Sequence, residues 1–126
     1  MKYLKWLLFF LILCPLVCIA DEIPLNGDDL VEHCRVFTQI APMPWAAKVL
    51  GPNESVATCM SYMNRAIEEF QSIHDKDNNT YCLPDEISAG ELAYIYVNYS
   101  DIKPEYFEQD ASKALRQVFR DAFPCR

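Results

Sequence analysis

The sequence predicts an all-α protein, a small four-helix domain with two disulfides. Three observations predict it. Four segments repeat apolar residues at the i, i+3, i+4, i+7 spacing of one helix face, and none alternates convincingly with the period of two that a half-buried strand needs. Four of the six cysteines fall along or beside those segments. The opening residues read as an export leader, which would carry those cysteines to a compartment where they oxidise.

The leader comes first. Lys2 and Lys5 form a basic start, residues 6–19 are apolar apart from Pro15, and Ala20 precedes Asp21 and Glu22. That order reads as a signal peptide over residues 1–20, cleaved after Ala20. The apolar run is shorter than the ~20 residues a spanning helix needs, which disfavours a retained anchor. Cys14 and Cys18 do not make a lipoprotein signal, because Ile12-Leu13 and Leu16-Val17 lack the small residue that precedes a lipid-modified cysteine. Residues 21–126 are then a single domain with a modest core and four cysteines, an even number suited to two disulfides. Losing Lys2 and Lys5 takes the net charge from −7 to −9. So acidic a balance argues against nucleic acid and anionic membranes as partners. It suits a basic protein partner, or simply solubility.

The first helix is expected over residues 28–40, with Leu30, Cys34, Phe37 and then Ile40 or Ala41 on one side. Asn26 or Asp28 caps it, and Asp29 and Glu32 suit the positive end of the helix dipole. Pro42, Pro44, Gly51 and Pro52 break the pattern into a loop, with room for one short turn around residues 45–49. The second helix shows the longest periodicity: Val56, Cys59, Met60, Met63, Ala66, Ile67, Phe70 and Ile73 share a face. Asn53 or Ser55 caps it, and the polar residues 75–79 end it. A capping box, Ser88 with Glu91, starts the third helix, whose Leu92, Ile95, Tyr96 and Tyr99 face the core up to Pro104. Asp110 caps the fourth, which carries Ala111, Ala114, Leu115, Val118, Phe119 and Ala122 until Pro124 stops it. Met63, Phe70, Leu92, Leu115 and Phe119 are the expected centre of the core.

Four cysteines allow three pairings. A short link makes the third and fourth helices antiparallel neighbours, which puts Cys82 and Cys125 at one end of their hairpin. The same reasoning brings Cys34 to Cys59 across the first hairpin. Cys34–Cys59 with Cys82–Cys125 is therefore the preferred pairing.

Little in the chain suggests chemistry. His33 neighbours Cys34, but adjacent helical residues point in different directions, and a bridged cysteine is no nucleophile. His74 sits at the end of the second helix, where a cation suits the dipole. No catalytic group, metal site or cofactor is expected. Asp75, Asp77, Asn79 and Glu86 occupy positions 1, 3, 5 and 12 of a calcium loop, yet Thr80 stands where the loop wants glycine and Pro84 lies inside it. A solvated acidic connection is the better reading. Asn53, Asn78 and Asn98 begin glycosylation-type triplets that matter only in a eukaryote. Tyr94 and Tyr106 fall off the core face, as tyrosines at binding surfaces do, although scattered surface aromatics would look the same.

Several pieces occur together in order: Asp29-Leu30 before Cys34-Arg35, Cys59 before Tyr62, Tyr81-Cys82-Leu83-Pro84, Ser88 before Glu91-Leu92, Pro104-Glu105, Ala114-Leu115, and Ala122-Phe123-Pro124-Cys125. On these the chain, from residue 28 to 125, resembles the Rap/Tai family of periplasmic immunity proteins, which protect bacteria against amidase toxins delivered by type VI secretion. It departs from the family at Ser61 and Asn64, where members often carry glycine, and in a longer connection over residues 41–53. The resemblance implies a periplasmic, disulfide-bonded, non-catalytic inhibitor, often a homodimer, that blocks a cognate secreted amidase effector by binding. A small periplasmic chaperone of undefined client is the alternative, which the clean amphipathic faces disfavour.

An inhibitor would reach into its partner with connections held still by the helices. The expected contact residues are Met43 and Trp45 in the first connection, Asp75 and Asp77 in the second, and Tyr106 and Glu108 in the third. Trp45 leads, because tryptophan is a typical anchor. Its competing role is to fold back over the core.

Overall fold

The computed structural model describes residues 25–43, 45, 51, 53–72 and 81–125. The leader, Ile73, His74, Asp75, Asp77, Asn78, Asn79 and with them the first half of the calcium-type loop lie outside the described residues. Among the described residues the order is α1 (Gly27–Ile40), α2 (Glu54–Ser72), α3 (Ala89–Ile102), a 3-10 turn (Pro104–Glu108) and α4 (Ala111–Ala122). Among the described residues no strand interrupts them, and an isolated bridge joins Asn26 to Asp110.

Local chemistry sets each helix start. The Asn26 side chain accepts from the Gly27 amide at 2.9 Å, and that of Asn53 accepts from the Val56 amide at 3.2 Å. Both arms of the capping box form: Glu91 N donates to Ser88 Oγ at 3.2 Å, and Ser88 N to Glu91 Oε2 at 3.0 Å. Asp110 accepts from the Lys113 amide at 3.0 Å. In each case a side-chain oxygen satisfies an amide the helix leaves orphaned.

One core runs through the four helices. Leu30, Val31 and Cys34 of α1 meet Cys59, Met63 and Ala66 of α2; Leu92, Ala93 and Tyr96 of α3 meet Ala111, Ala114, Leu115, Val118 and Phe119 of α4. Met63, Leu92, Leu115 and Phe119 are buried as expected. Phe70 is not: it is half-buried near the end of α2, stacked on Tyr81 at a ring separation of 6.1 Å. Helix periodicity gives a residue's face but not its distance from the helix end, where the core thins. Ile95 and Tyr99 are likewise half-buried at the margin.

Phe107 is a core residue the periodic pattern conceals. It lies in the 3-10 turn, fully buried, edge-on to Tyr96 at 4.9 Å. The Tyr96 hydroxyl donates to the Gly27 carbonyl at 2.9 Å, so the polar tip of a buried tyrosine is satisfied. Gly27 is required there. A Cβ on it would stand 2.7 Å from the Phe107 carbonyl oxygen, with no flexible group able to yield. The Gly27 amide also donates to Gln109 O and the Ala111 amide to Leu25 O, each at 2.8 Å. The start of α1 is thereby clasped to the start of α4.

Both disulfides form as the helix order predicts, Cys34–Cys59 and Cys82–Cys125, each with a Cα–Cα distance of 5.0 Å. They differ in setting. Cys34 and Cys59 are wholly buried between α1 and α2. Cys82 is half-buried and Cys125 exposed, tying the approach to α3 to the end of α4 beside the hydrogen bond from Cys82 N to Phe123 O at 2.8 Å.

A candidate partner-binding surface

Where α1 stops, apolar side chains turn outward. The Ala41 amide closes the helix on Phe37 O, and the Met43 amide returns to Ile40 O, each at 2.9 Å. Beyond this turn Met43 is 42% exposed and Trp45 65%. At that exposure Trp45 is no lid over the core.

Tyr94 joins this end of the molecule from α3. Its hydroxyl donates to Thr38 O at 3.3 Å, and its ring meets Phe37 edge-on at 6.0 Å. Phe37, expected on the core face of α1, is half-buried and supports Tyr94 instead of filling the centre. The sequence signal for Tyr94 was its position out of phase with the Leu92–Tyr96 face. Nothing in the sequence placed it against the end of α1.

Tyr106 and Glu108 stand elsewhere, in the 3-10 turn. Glu108 is exposed. Tyr106 is half-buried, its hydroxyl donating to the Asp121 carboxylate, with the Lys103 ammonium 5.9 Å from its ring centre. The hydrogen bond to Asp121 raises its pKa above the usual tyrosine value. Tyr106 therefore fastens the turn to α4. The structure does not bring the turn residues into contact with Met43 or Trp45, and Asp75 and Asp77 lie outside the described residues.

Small depressions lie among the described residues. One, of about 20 Å³, lies between α2 and α4 and is lined by Tyr62, Arg65, Glu69, Tyr81 and Arg116; another, of about 60 Å³, lies beside Phe70, Leu83 and Ile87. Each has room for a water or two, well below a small-molecule site. Among the described residues no three His, Cys, Asp or Glu side chains gather as a metal site would require.

The family model of the Rap1a immunity proteins matches residues 26–125. No curated protein and no solved structure matches the chain. The matched span opens at the cap of α1 and closes at the last bridged cysteine, so it takes in all four helices, the clasp and both disulfides. The chain belongs to the Rap1a immunity protein family.

Proposed function

We propose that this chain is a periplasmic immunity protein that binds and inhibits a cell-wall-degrading amidase toxin delivered by type VI secretion. Its membership in the immunity family over residues 26–125 is the observation that carries the reading. The motifs shared with the amidase-directed Rap/Tai proteins support the choice of toxin. Signal-peptide cleavage after Ala20 delivers it to the periplasm, a compartment suited to two disulfides. Inhibition is by occlusion: the chain covers the toxin's site with side chains and performs no reaction. Met43 and Trp45 are the first contact residues, with Tyr106, Glu108, Asp75 and Asp77 as further contacts. An acidic inhibitor also associates faster with a basic hydrolase, through long-range attraction that salt screens.

The test is protection. Cells exporting the amidase encoded in the neighbouring reading frame are expected to lyse without this chain and survive with it, and the purified pair to form a tight one-to-one complex. If the purified chain neither binds nor inhibits any amidase encoded beside it, the reading is wrong. Binding of many unfolded proteins without preference would favour the chaperone alternative. Homodimer formation, which the family resemblance implies, is a separate proposal that sedimentation of the purified chain tests.

A further inference from the structure

We propose that Tyr94 is a pre-positioned aromatic anchor of the toxin-binding surface, and that this surface is the negative end of α1, shaped for an apolar slot with a basic rim. The inference rests on the immunity reading and says which side of the molecule serves it.

Among the described residues, four large apolar side chains are exposed: Met43, Trp45, Tyr94 and Ile102. Three of them belong to one end of the molecule. Met43 is hydrogen-bonded back to the last turn of α1, and Trp45 follows within ~7 Å of chain. Tyr94, from a different helix, is fixed to the same turn through Thr38 O and Phe37. Separate segments thus present apolar side chains at one place, as an interface does and scattered surface residues do not.

Tyr94 is also held before any partner arrives. A Cβ at Gly90 would lie 3.1 Å from Phe37 Cζ. The glycine therefore lets the Phe37 ring lie close over the first turn of α3, and that ring supports Tyr94. A tyrosine already oriented loses little freedom on binding, which is the property of a rigid anchor.

Charge selects the occupant. The carbonyls of Phe37, Thr38 and Ile40 already accept hydrogen bonds, but the last turn of α1 carries no basic side chain to offset the negative end of the helix dipole. Glu91, one turn before Tyr94, is exposed and adds a full negative charge. A second copy of the mature chain, itself acidic at a net −9 once Lys2 and Lys5 are gone, would be repelled here. A toxin with basic groups around an apolar slot would be attracted.

Calorimetric titration of the full mature chain with the purified amidase from the neighbouring reading frame tests this. Tyr94→Ala is expected to weaken binding by roughly 30-fold or more, the loss of an anchor residue. Tyr94→Phe is expected to bind within about threefold of the original chain, the range of a neutral surface change, because the ring is the anchor. Glu91→Gln is expected to slow association and to flatten its salt dependence, with its fold checked by melting. Wild-type binding with Tyr94→Ala equally tight overturns the inference and leaves the immunity reading standing. Failure of the wild-type chain to bind overturns both. If Tyr94→Ala instead abolishes self-association and spares amidase binding, the surface joins copies of this chain and the inference is wrong.

Discussion

At the scale of single residues, the side chains divide by what they touch. Phe119 is fully buried, with Tyr81 edge-on at 5.7 Å. Phe119→Ala is expected to cost about 3–5 kcal/mol in urea unfolding, transfer and cavity terms together. Phe70→Ala, at the half-buried margin, is expected to cost clearly less in the same assay. Trp45→Ala belongs to the other kind. With 65% of its surface exposed it contributes little to the fold, so the melting temperature is expected to stay put while amidase affinity falls by an anchor's ~2 kcal/mol or more. A fall in melting temperature instead would return Trp45 to the core. The buried tyrosines give a pH signature. Burial pushes Tyr96 well above its ordinary value of 10.0, with the Asp28 charge adding to the shift, and pushes Tyr81 up in the same direction. The folded chain keeps those protons while the unfolded chain releases them. Stability is therefore complete below the ordinary tyrosine pKa and is expected to fall as pH rises beyond it. Denaturant titrations on either side of that pH check the sign.

At the scale of elements, each helix was legible where its own residues decide it. The caps and the proline stops are local chemistry: the sequence names Ser88 and Asp110 outright and narrows the other two to Asn26 or Asp28 and Asn53 or Ser55, of which the structure uses Asn26 and Asn53. The disulfide pairing followed from helix order alone. Phe107 was hidden because a single 3-10 turn is too short to show a period. Val31 was hidden because α1 is covered on two sides: α2 and α3 lie along it, and the clasp closes its start. The third helix is apolar nearly all round, so periodicity marked Leu92 and Tyr96 but could not foresee that Tyr94 would reach Thr38, a contact 56 residues away in sequence. The candidate surface is a product of tertiary placement, which explains why the sequence set Tyr94 off the core face but did not join it to Met43 and Trp45. The bridges are expected to matter unequally in reach. Cys125→Ser leaves Cys82 unpaired and opens a 43-residue separation, for which the chain-entropy picture gives a loss of about 2–4 kcal/mol. Thermal melting under non-reducing conditions measures it. Mild thiol treatment is expected to open the exposed Cys82–Cys125 bridge before the buried one, because exchange needs access to sulfur; peptide mapping after alkylation reads the order.

At the scale of the whole molecule, a small core is held by covalent ties and by a clasp between distant segments, leaving connections free to specialise. That division suits an inhibitor. The frame needs only to stay rigid, while the exposed residues beyond the end of α1 can vary at little cost to stability. Gly27→Ala probes the clasp: with backbone 2.7 Å from the new methyl, it is expected to separate α1 from the 3-10 turn and lower stability well beyond the cost of a surface change. Circular dichroism melting would show it.

The clasp has a consequence for how the chain is born. During synthesis α1 emerges first, yet its hydrogen-bonding partners at Tyr96, Gln109 and Ala111 are made last, the Gly27–Tyr96 pair standing 69 residues apart. A nascent chain cannot settle its first helix until nearly the whole domain has left the ribosome, and contacts so remote in sequence close slowly. Neither disulfide can hold the early segments in place before oxidation. The first helix and the last are thus settled together, in one late step that closes the domain from both ends.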